Sequence, residues 1–353
     1  MRQKLKFWLA KHRRILIIGG AVFVIAAIAG GTYLYAIRNG LVARTDPGGN
    51  GSKAEPAIKI VPSPLTGLDV SRDLAERPVT GVIIENSPQA RPQSGLADAG
   101  IVFEAIAEGG ITRFLALYQE DQPNLIGPVR SLRPYYLDWA YGFEASVSHV
   151  GGSEEALSLA RSVQGFRDID QSFNSSFFFR SKDRAAPHNV YTRTSLLDQA
   201  SEKKGFGKSE FVSIARKKPK PAETPTASTI TIDYSAPLFK ASYSYDKANN
   251  TYSRSQAGQP HIDRETSKQI SVSTVVVMKI NWSVAASGHS IYGTTQGGEV
   301  VIFQDGLVSK GSWSKASRGD QIKFTNGEGT ELKLNPGRTW ISALPTTRSV
   351  SYQ

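Results

Sequence analysis

Cysteine is absent from all 353 residues, and that absence removes disulfides, thiol nucleophiles and thiolate metal sites together. The folded state must therefore be held by burial alone. Histidine is scarce, with five residues. None sits in an H-E-x-x-H arrangement, and no P-loop, G-x-S-x-G or zinc-finger spacing occurs, which excludes the common enzyme classes that those motifs mark. Acidic residues are outnumbered, 31 against 42 lysines and arginines, for a formal net charge of +11. A basic protein attracts anionic lipid, phosphate-bearing polymer or nucleic acid. No nucleic-acid-binding module accompanies the basicity, so nucleic acid is not an expected partner.

Charge is missing altogether from one stretch, which begins at Ile15 and ends at Ile37. It slightly exceeds the roughly 20 residues, at 1.5 Å rise each, that cross a hydrocarbon core about 30 Å thick. Arg2, Lys4, Lys6, Lys11, Arg13 and Arg14 precede it, while only Arg38 and Arg44 follow closely. The positive-inside bias thus predicts a cytosolic basic tip (residues 1–14), a single-pass anchor in the lipid bilayer (15–37) and an extracytoplasmic body. The alternative is a cleavable signal peptide, for which Ala27-Ile28-Ala29 is a passable site. Apolar character continuing to Ile37 favours the uncleaved anchor. In either case the body lies outside the cytosol.

Residues 38–63 lack periodicity and carry T-D-P-G-G-N-G-S-K at 45–53, which reads as a flexible tether. Structure is expected from Pro64. Strands are predicted over 78–85, 99–104 and 112–118, with a tight turn at Glu108-Gly109-Gly110. Helical spacing of Tyr136, Leu137, Ala140 and Tyr141 predicts a helix over 133–143, then a strand over 145–150. Ser153 is the natural N-cap of a further helix with Glu154 and Glu155 in its first turn. After a basic and polar connection at 216–228, the chain reads as almost wholly β, in strands over 229–234, 241–245, 251–254, 274–280, 290–293, 298–304, 307–313, 320–325, 331–335 and 338–343. The fold class is therefore α+β with a β-rich C-terminal half.

The densest chemical signal is G-P-V-R-S-L-R-P at 127–134, with Arg113 before it and H-V-G-G-S at 149–153 after it. Two guanidinium forks, the Ser131 hydroxyl and a helix start rich in N–H groups are what a phosphate or carboxylate site requires. The expected ligand-binding set is Arg113, Arg130, Ser131, Arg133, His149 and His188, with Glu104 and Asp138 as acidic partners. Arg180, Lys182 and Arg184 add positive charge to the same rim. The competing reading has the arginines pairing with Glu85, Glu104, Glu108 and Asp138 in a buried network. A metal site from His149, His188 and Asp138 would be three-ligand and open, but its spacing is scattered, so no metal and no cofactor are expected. His188 and His261, each beside a proline, read as turn histidines bonded to backbone. Trp313 and Trp340 read as core pillars, with a sugar-stacking face as the alternative. No residue is assigned a catalytic role.

The ordered run P-L-T-G-L, A-R-P-Q-S-G-L-A-D-A-G-I-V-F-E, E-G-G-I-T-R-F, I-G-P-V-R-S-L-R-P-Y, H-V-G-G-S and A-P-H-N-V-Y, from Pro64 to Tyr191, resembles the YerB-like lipoprotein family. The likeness continues through Y-S-R at 252–254, G-Q-P-H-I-D at 258–263, F-Q-D-G at 303–306, G-S-W at 311–313 and L-N-P-G-R-T-W-I at 334–341. It implies an N-terminal α/β region (64–215), a C-terminal β region (229–347) and a layered β-β-α sandwich whose two regions pack together. It implies no reaction. Lacking cysteine, this chain cannot carry a cysteine-linked lipid, so the helix from Ile15 to Ile37 is expected to replace that anchor. Two functions compete: a ligand-binding or scaffold module acting on anionic wall polymer or wall-building proteins, and an envelope enzyme acting on a phosphate-bearing wall or lipid-linked substrate. For the second, T-R-F, P-V-R-S and H-V-G-G-S show a faint likeness to LytR-CpsA-Psr phosphotransferases. Phe114 stands where that family has an acidic residue, and P-V-R-S replaces its P-R-D element.

The protein is expected to stay with membranes through carbonate and high-salt washing, because burial of the segment between Ile15 and Ile37 does not depend on charge. Recovery of a soluble form from washed membranes would defeat the anchor.

Overall fold

The computed structural model describes residues 58–353. The basic tip, the apolar segment between Ile15 and Ile37 and most of the tether lie outside them. Among the described residues no helix is long and apolar enough to cross a membrane.

Short apolar runs bounded by turn residues form the first strands, β1 (Thr80–Glu85), β2 (Ile101–Ile106) and β3 (Thr112–Tyr118), every residue of which is buried. Helix α1 (Pro134–Tyr141) opens on a proline, whose missing N–H is not needed in a first turn. Strand β4 (Ser146–His149) follows, then α2 (Glu154–Ser162), where the Ser153 hydroxyl accepts from the Ala156 amide at 3.3 Å as its spacing predicts. Strand β5 (Arg167–Asp170) and helix α3 (Thr194–Lys203) complete this half. Neither was expected: R-D-I-D is too polar to read as a strand, and α3 has only a narrow apolar stripe.

The second half supplies β6 (Thr229–Ile232), β7 (Ala241–Asp246), β8 (Thr251–Gln256), β9 (Thr274–Ile280), β10 (Gly297–Gln304), β11 (Leu307–Ser314), β12 (Lys323–Thr325), β13 (Thr339–Pro345) and β14 (Val350–Tyr352). Strand-rich and poor in helix, the body is α+β with a β-rich C-terminal half, as expected. The strand expected over 331–335 is reduced to isolated bridges, Glu331 to Thr325 and Leu334 to Arg216. Residues 60–62, placed in the tether by the sequence, pair with residues 69–71.

Ten strands form one sheet in the order β12-β11-β10-β9-β13-β2-β3-β1-β4-β5, and a second sheet runs β8-β7-β6-β14 with two short flanking strands. The decisive pairing is β13 against β2, parallel, with Trp340 beside Val102 and Ser342 beside Glu104. Through it the C-terminal strands continue the N-terminal sheet. Alternation along the strands then splits the core. Ile83, Phe103, Leu115, Val276 and Ile341 face α1 and α2, where Trp139 stacks on Phe103 at 5.2 Å between ring centroids. Val82, Ile84, Val102, Phe114, Val275 and Trp340 face α3 and the second sheet, meeting Ile230, Ile232, Tyr243 and Tyr252.

A fragment of residues 228–353 is expected not to unfold cooperatively, because β13 would lose β2 and the buried face of β9 would lose cover from the first half. A soluble fragment with a sharp thermal transition and dispersed amide resonances would contradict the shared core.

Candidate functional site

Strand parity decides which charges meet. Glu104 lies on the face of β2 shared with Val102, towards the second sheet, whereas Arg113 shares the face of β3 with Leu115 and Leu117, towards the helices. The two cannot pair. Instead, Glu104 and Arg254 form an ion pair at 2.8 Å with both side chains fully buried. Glu104 also accepts from Trp340 Nε1 (3.0 Å), Tyr234 Oη (3.1 Å) and Thr112 Oγ1 (2.8 Å). Four donors on two oxygens leave little of the carboxylate unsatisfied, as a buried charge requires. The Arg254 guanidinium lies 4.4 Å over the Trp340 ring and also meets Gln256 and His261. Burial first, then the charges of Arg254 and Arg91, push the His261 imidazole well below its usual range. The ring is therefore neutral, accepting from Arg254 at Nδ1 and donating to Gln93 Oε1 at 2.9 Å.

On the helix face, Glu108 collects both Arg113 (3.0 Å) and Arg133. Arg113 also donates to the Ser131 carbonyl at 2.8 Å, and Arg133 to the Leu132 carbonyl at 2.6 Å. Burial raises the affinity of Glu108 for a proton, but Arg113 and Arg133 outweigh it and hold the carboxyl below the usual glutamate range. Asp138 is separate, bonded to Arg318 and to Thr294 Oγ1 at 2.5 Å.

The remaining expected residues gather at the carboxyl ends of β1, β4 and β5, where open α/β sheets present their ligand sites. The turn through Arg130 is stitched there: its amide donates to the Ile83 carbonyl (2.8 Å), and its carbonyl accepts from the Val150 amide (3.0 Å). His149 is fully buried, with Nδ1 2.7 Å from the Gly151 carbonyl and Nε2 2.6 Å from Asp168 Oδ1. Gly151 has φ +58°, a region glycine enters without strain, which lets its amide donate to Asp170 at 3.0 Å. Beside this turn Glu85, only 4 % exposed, accepts from Ser87 Oγ (2.7 Å) and His188 Nδ1 (2.8 Å) and faces Arg130 Nε at 3.1 Å.

The expected set thus divides into five networks, not one. Arg113 and Arg133 belong to Glu108, Arg130 and His188 to Glu85, His149 to Asp168, Glu104 to Arg254, and Asp138 to Arg318. His149, His188 and Asp138 do not converge, and among the described residues no cluster of His, Asp and Glu suits a metal ion. His188 and His261 bond side chains rather than backbone. Trp313 and Trp340 are core pillars, both almost fully buried. The basic connection is partly structural, since Arg216 donates to the carbonyls of Leu65 (2.6 Å) and Asn335 (2.9 Å). Arg254 was missed, although a signal existed: in T-Y-S-R-S-Q it shares strand parity with the buried Tyr252 and Gln256.

Both halves of the chain have counterparts in known proteins. Residues 65–207 match the N-terminal domain, and residues 230–341 the C-terminal domain, of the protein of unknown function DUF3048. The chain belongs to this YerB-like family. It is 32 % identical over 297 residues to the "Putative lipoprotein YerB" of Bacillus subtilis (strain 168), covering 83 % of this chain and 89 % of the relative. The crystal structure of the YerB protein from Bacillus subtilis superposes with a TM-score of 0.74 at 31 % identity, covering 82 % of this chain and 99 % of that one.

Replacing Glu104 by Gln is expected to cost about 3–5 kcal/mol, because it strands the fully buried Arg254. Glu108→Gln should cost less, about 1–2 kcal/mol, since its carboxyl is one-third exposed. The folded-state pKa of Glu108 is depressed, so its contribution is present above the reference 4.5 and lost as pH falls through the folded value. Urea melts at pH 7 and pH 3 check both statements: Glu108→Gln should narrow its gap from the parent at pH 3, and a constant gap would contradict the assignment.

Proposed function

We propose that this protein is a membrane-tethered, extracytoplasmic component of the cell envelope that binds an anionic group at Arg130. The location draws on the uncharged segment between Ile15 and Ile37 and on a relative named as a putative lipoprotein. The binding reading draws on the position of the arginine turn, which is bonded to Ile83 and Val150 at the carboxyl ends of the parallel strands β1 and β4.

One observation carries it. Of the three arginines, only Arg130 keeps its terminal amino groups free of protein hydrogen bonds among the described residues, while its Nε faces Glu85. Arg113 and Arg133 are occupied by Glu108 and by backbone carbonyls. A free planar fork beside a carboxylate that is shared with His188 and Ser87 suits bidentate capture of phosphate. The segment bearing Arg180, Lys182, Arg184 and His188 returns to this turn through the Val129 amide and the Val190 carbonyl (2.7 Å). Its one acid, Asp183, pairs with Arg264 at 2.8 Å. The rim is therefore basic, and phosphate-bearing wall polymer is the matching partner.

Arg130→Lys keeps the charge and loses the fork. Titration of poly(glycerol phosphate) into the full-length protein should show affinity falling about tenfold, equivalent to about 1.4 kcal/mol, with the ligand-free melting temperature within about 3 °C of the parent. A large drop in melting temperature, together with no ligand-induced shift in the parent, would make the turn a structural brace.

A further inference from the structure

Three neighbouring strands of the large sheet, β9, β13 and β2, run parallel to one another, and ligand sites in open sheets lie beyond such carboxyl ends. A cavity of about 450 Å³, within the range that holds small organic ligands, opens there. Each strand leads into it. Ile106 ends β2, Trp282 follows β9 by two residues, and Arg348 follows β13 by three.

A short hairpin, residues 282–284 paired with 290–292, forms one wall, and the Ser290 amide ties it to the Ala107 carbonyl at 3.1 Å. The Trp282 indole is fixed by the bond from its Nε1 to Ser290 Oγ at 3.0 Å, and Ile106 and Val284 join it in a mostly apolar lining. Gly109, Gly110 and Gly288 contribute backbone alone. Val284 is 54 % exposed, so the apolar surface reaches the mouth.

One charged side chain stands in this lining, the half-buried Arg348. Its Nη1 donates to the Ser235 carbonyl at 3.3 Å, and among the described residues no carboxylate pairs with it. The acids of the neighbourhood are engaged or turned away. Glu108 serves Arg113 and Arg133, and Glu299 attracts Lys279. Asp233 follows β6 on the outward parity of Thr231 and forms no ion pair with Arg348. Lys279 in turn donates to the carbonyls of Pro345 (3.4 Å) and Arg348, which fixes the backbone that carries the guanidinium. A guanidinium with donors to spare takes a carboxylate through parallel N–H···O bonds, and an apolar wall beside it strengthens the pairing by excluding water. The indole offers its face to a flat apolar body.

We propose that this cavity is a second binding site, which takes an organic carboxylate, its acid group on Arg348 and its apolar body against Trp282. The site is separate from the anion site at Arg130 and does not rest on it. Inorganic phosphate, which has no apolar body, gains nothing from the indole.

Benzoate and its uncharged isostere benzamide test the charge requirement at constant shape. The full-length protein in a non-ionic polyoxyethylene detergent is titrated with each by calorimetry and followed by amide shifts. Benzoate is expected to bind with a millimolar dissociation constant, to shift residues 106–110 and 282–290, and to outbind benzamide about tenfold. Arg348→Gln should lose about tenfold in benzoate affinity while melting as the parent does, because its one side-chain bond is long. Val284→Asp, at an exposed position, should repel benzoate and leave benzamide binding unchanged. Arg130→Lys should bind benzoate as the parent does, which separates this site from the anion site. Equal affinity for benzoate and benzamide, unchanged benzoate binding in Arg348→Gln, displacement of benzoate by an equal concentration of inorganic phosphate, shifts confined to residues 127–134, or no benzoate binding at about 50 mM would each overturn the proposal.

Discussion

The body of this protein is organised around one buried ion pair, Glu104 with Arg254. Each partner comes from a different half of the chain, and each is fully enclosed. A charge in such a place is tolerated only when its partners are complete, and here Trp340, Tyr234 and Thr112 complete the carboxylate while Gln256, His261 and the Trp340 ring complete the guanidinium. Closing the network requires β13 beside β2 and the second sheet across one face of the first. Assembly of the halves and satisfaction of the charge are thus the same event.

That constraint explains why the expected site residues fall into five charged networks where the sequence suggested one arginine site. Once β13 and β2 are paired, alternation assigns Glu104 to one face of the sheet and Arg113 to the other. Arg113 and Arg133 then close on Glu108, the nearest carboxylate on the helix face. Arg130 sits between, at a strand end, with Glu85 bound through Nε alone. The result is a graded use of arginine, from wholly internal at Arg254 to partly free at Arg130.

The carboxyl ends of the parallel strands carry both candidate sites. At the carboxyl ends of β1, β4 and β5 the chain presents Arg130, His188 and the basic segment after Arg180. At the carboxyl ends of β9, β13 and β2 it presents Trp282 and Arg348.

Local pattern was enough for much of the secondary structure. The apolar run of β3, the Ser153 cap, the aromatic stripe of α1 and the turn at Glu108-Gly109-Gly110 all act over a few residues, and each was legible before any fold was known. The family likeness, too, was a property of ordered motifs. What sequence alone did not determine was pairing. β5 and α3 carry too little apolar character to be seen locally, and they form because neighbouring elements bury them. Arg254 and Glu104 are 150 positions apart, and nothing local joins them. The free fork at Arg130 is likewise visible only once Arg113 and Arg133 have been given to Glu108, because a charged side chain has a role only relative to the groups that folding brings within reach of it.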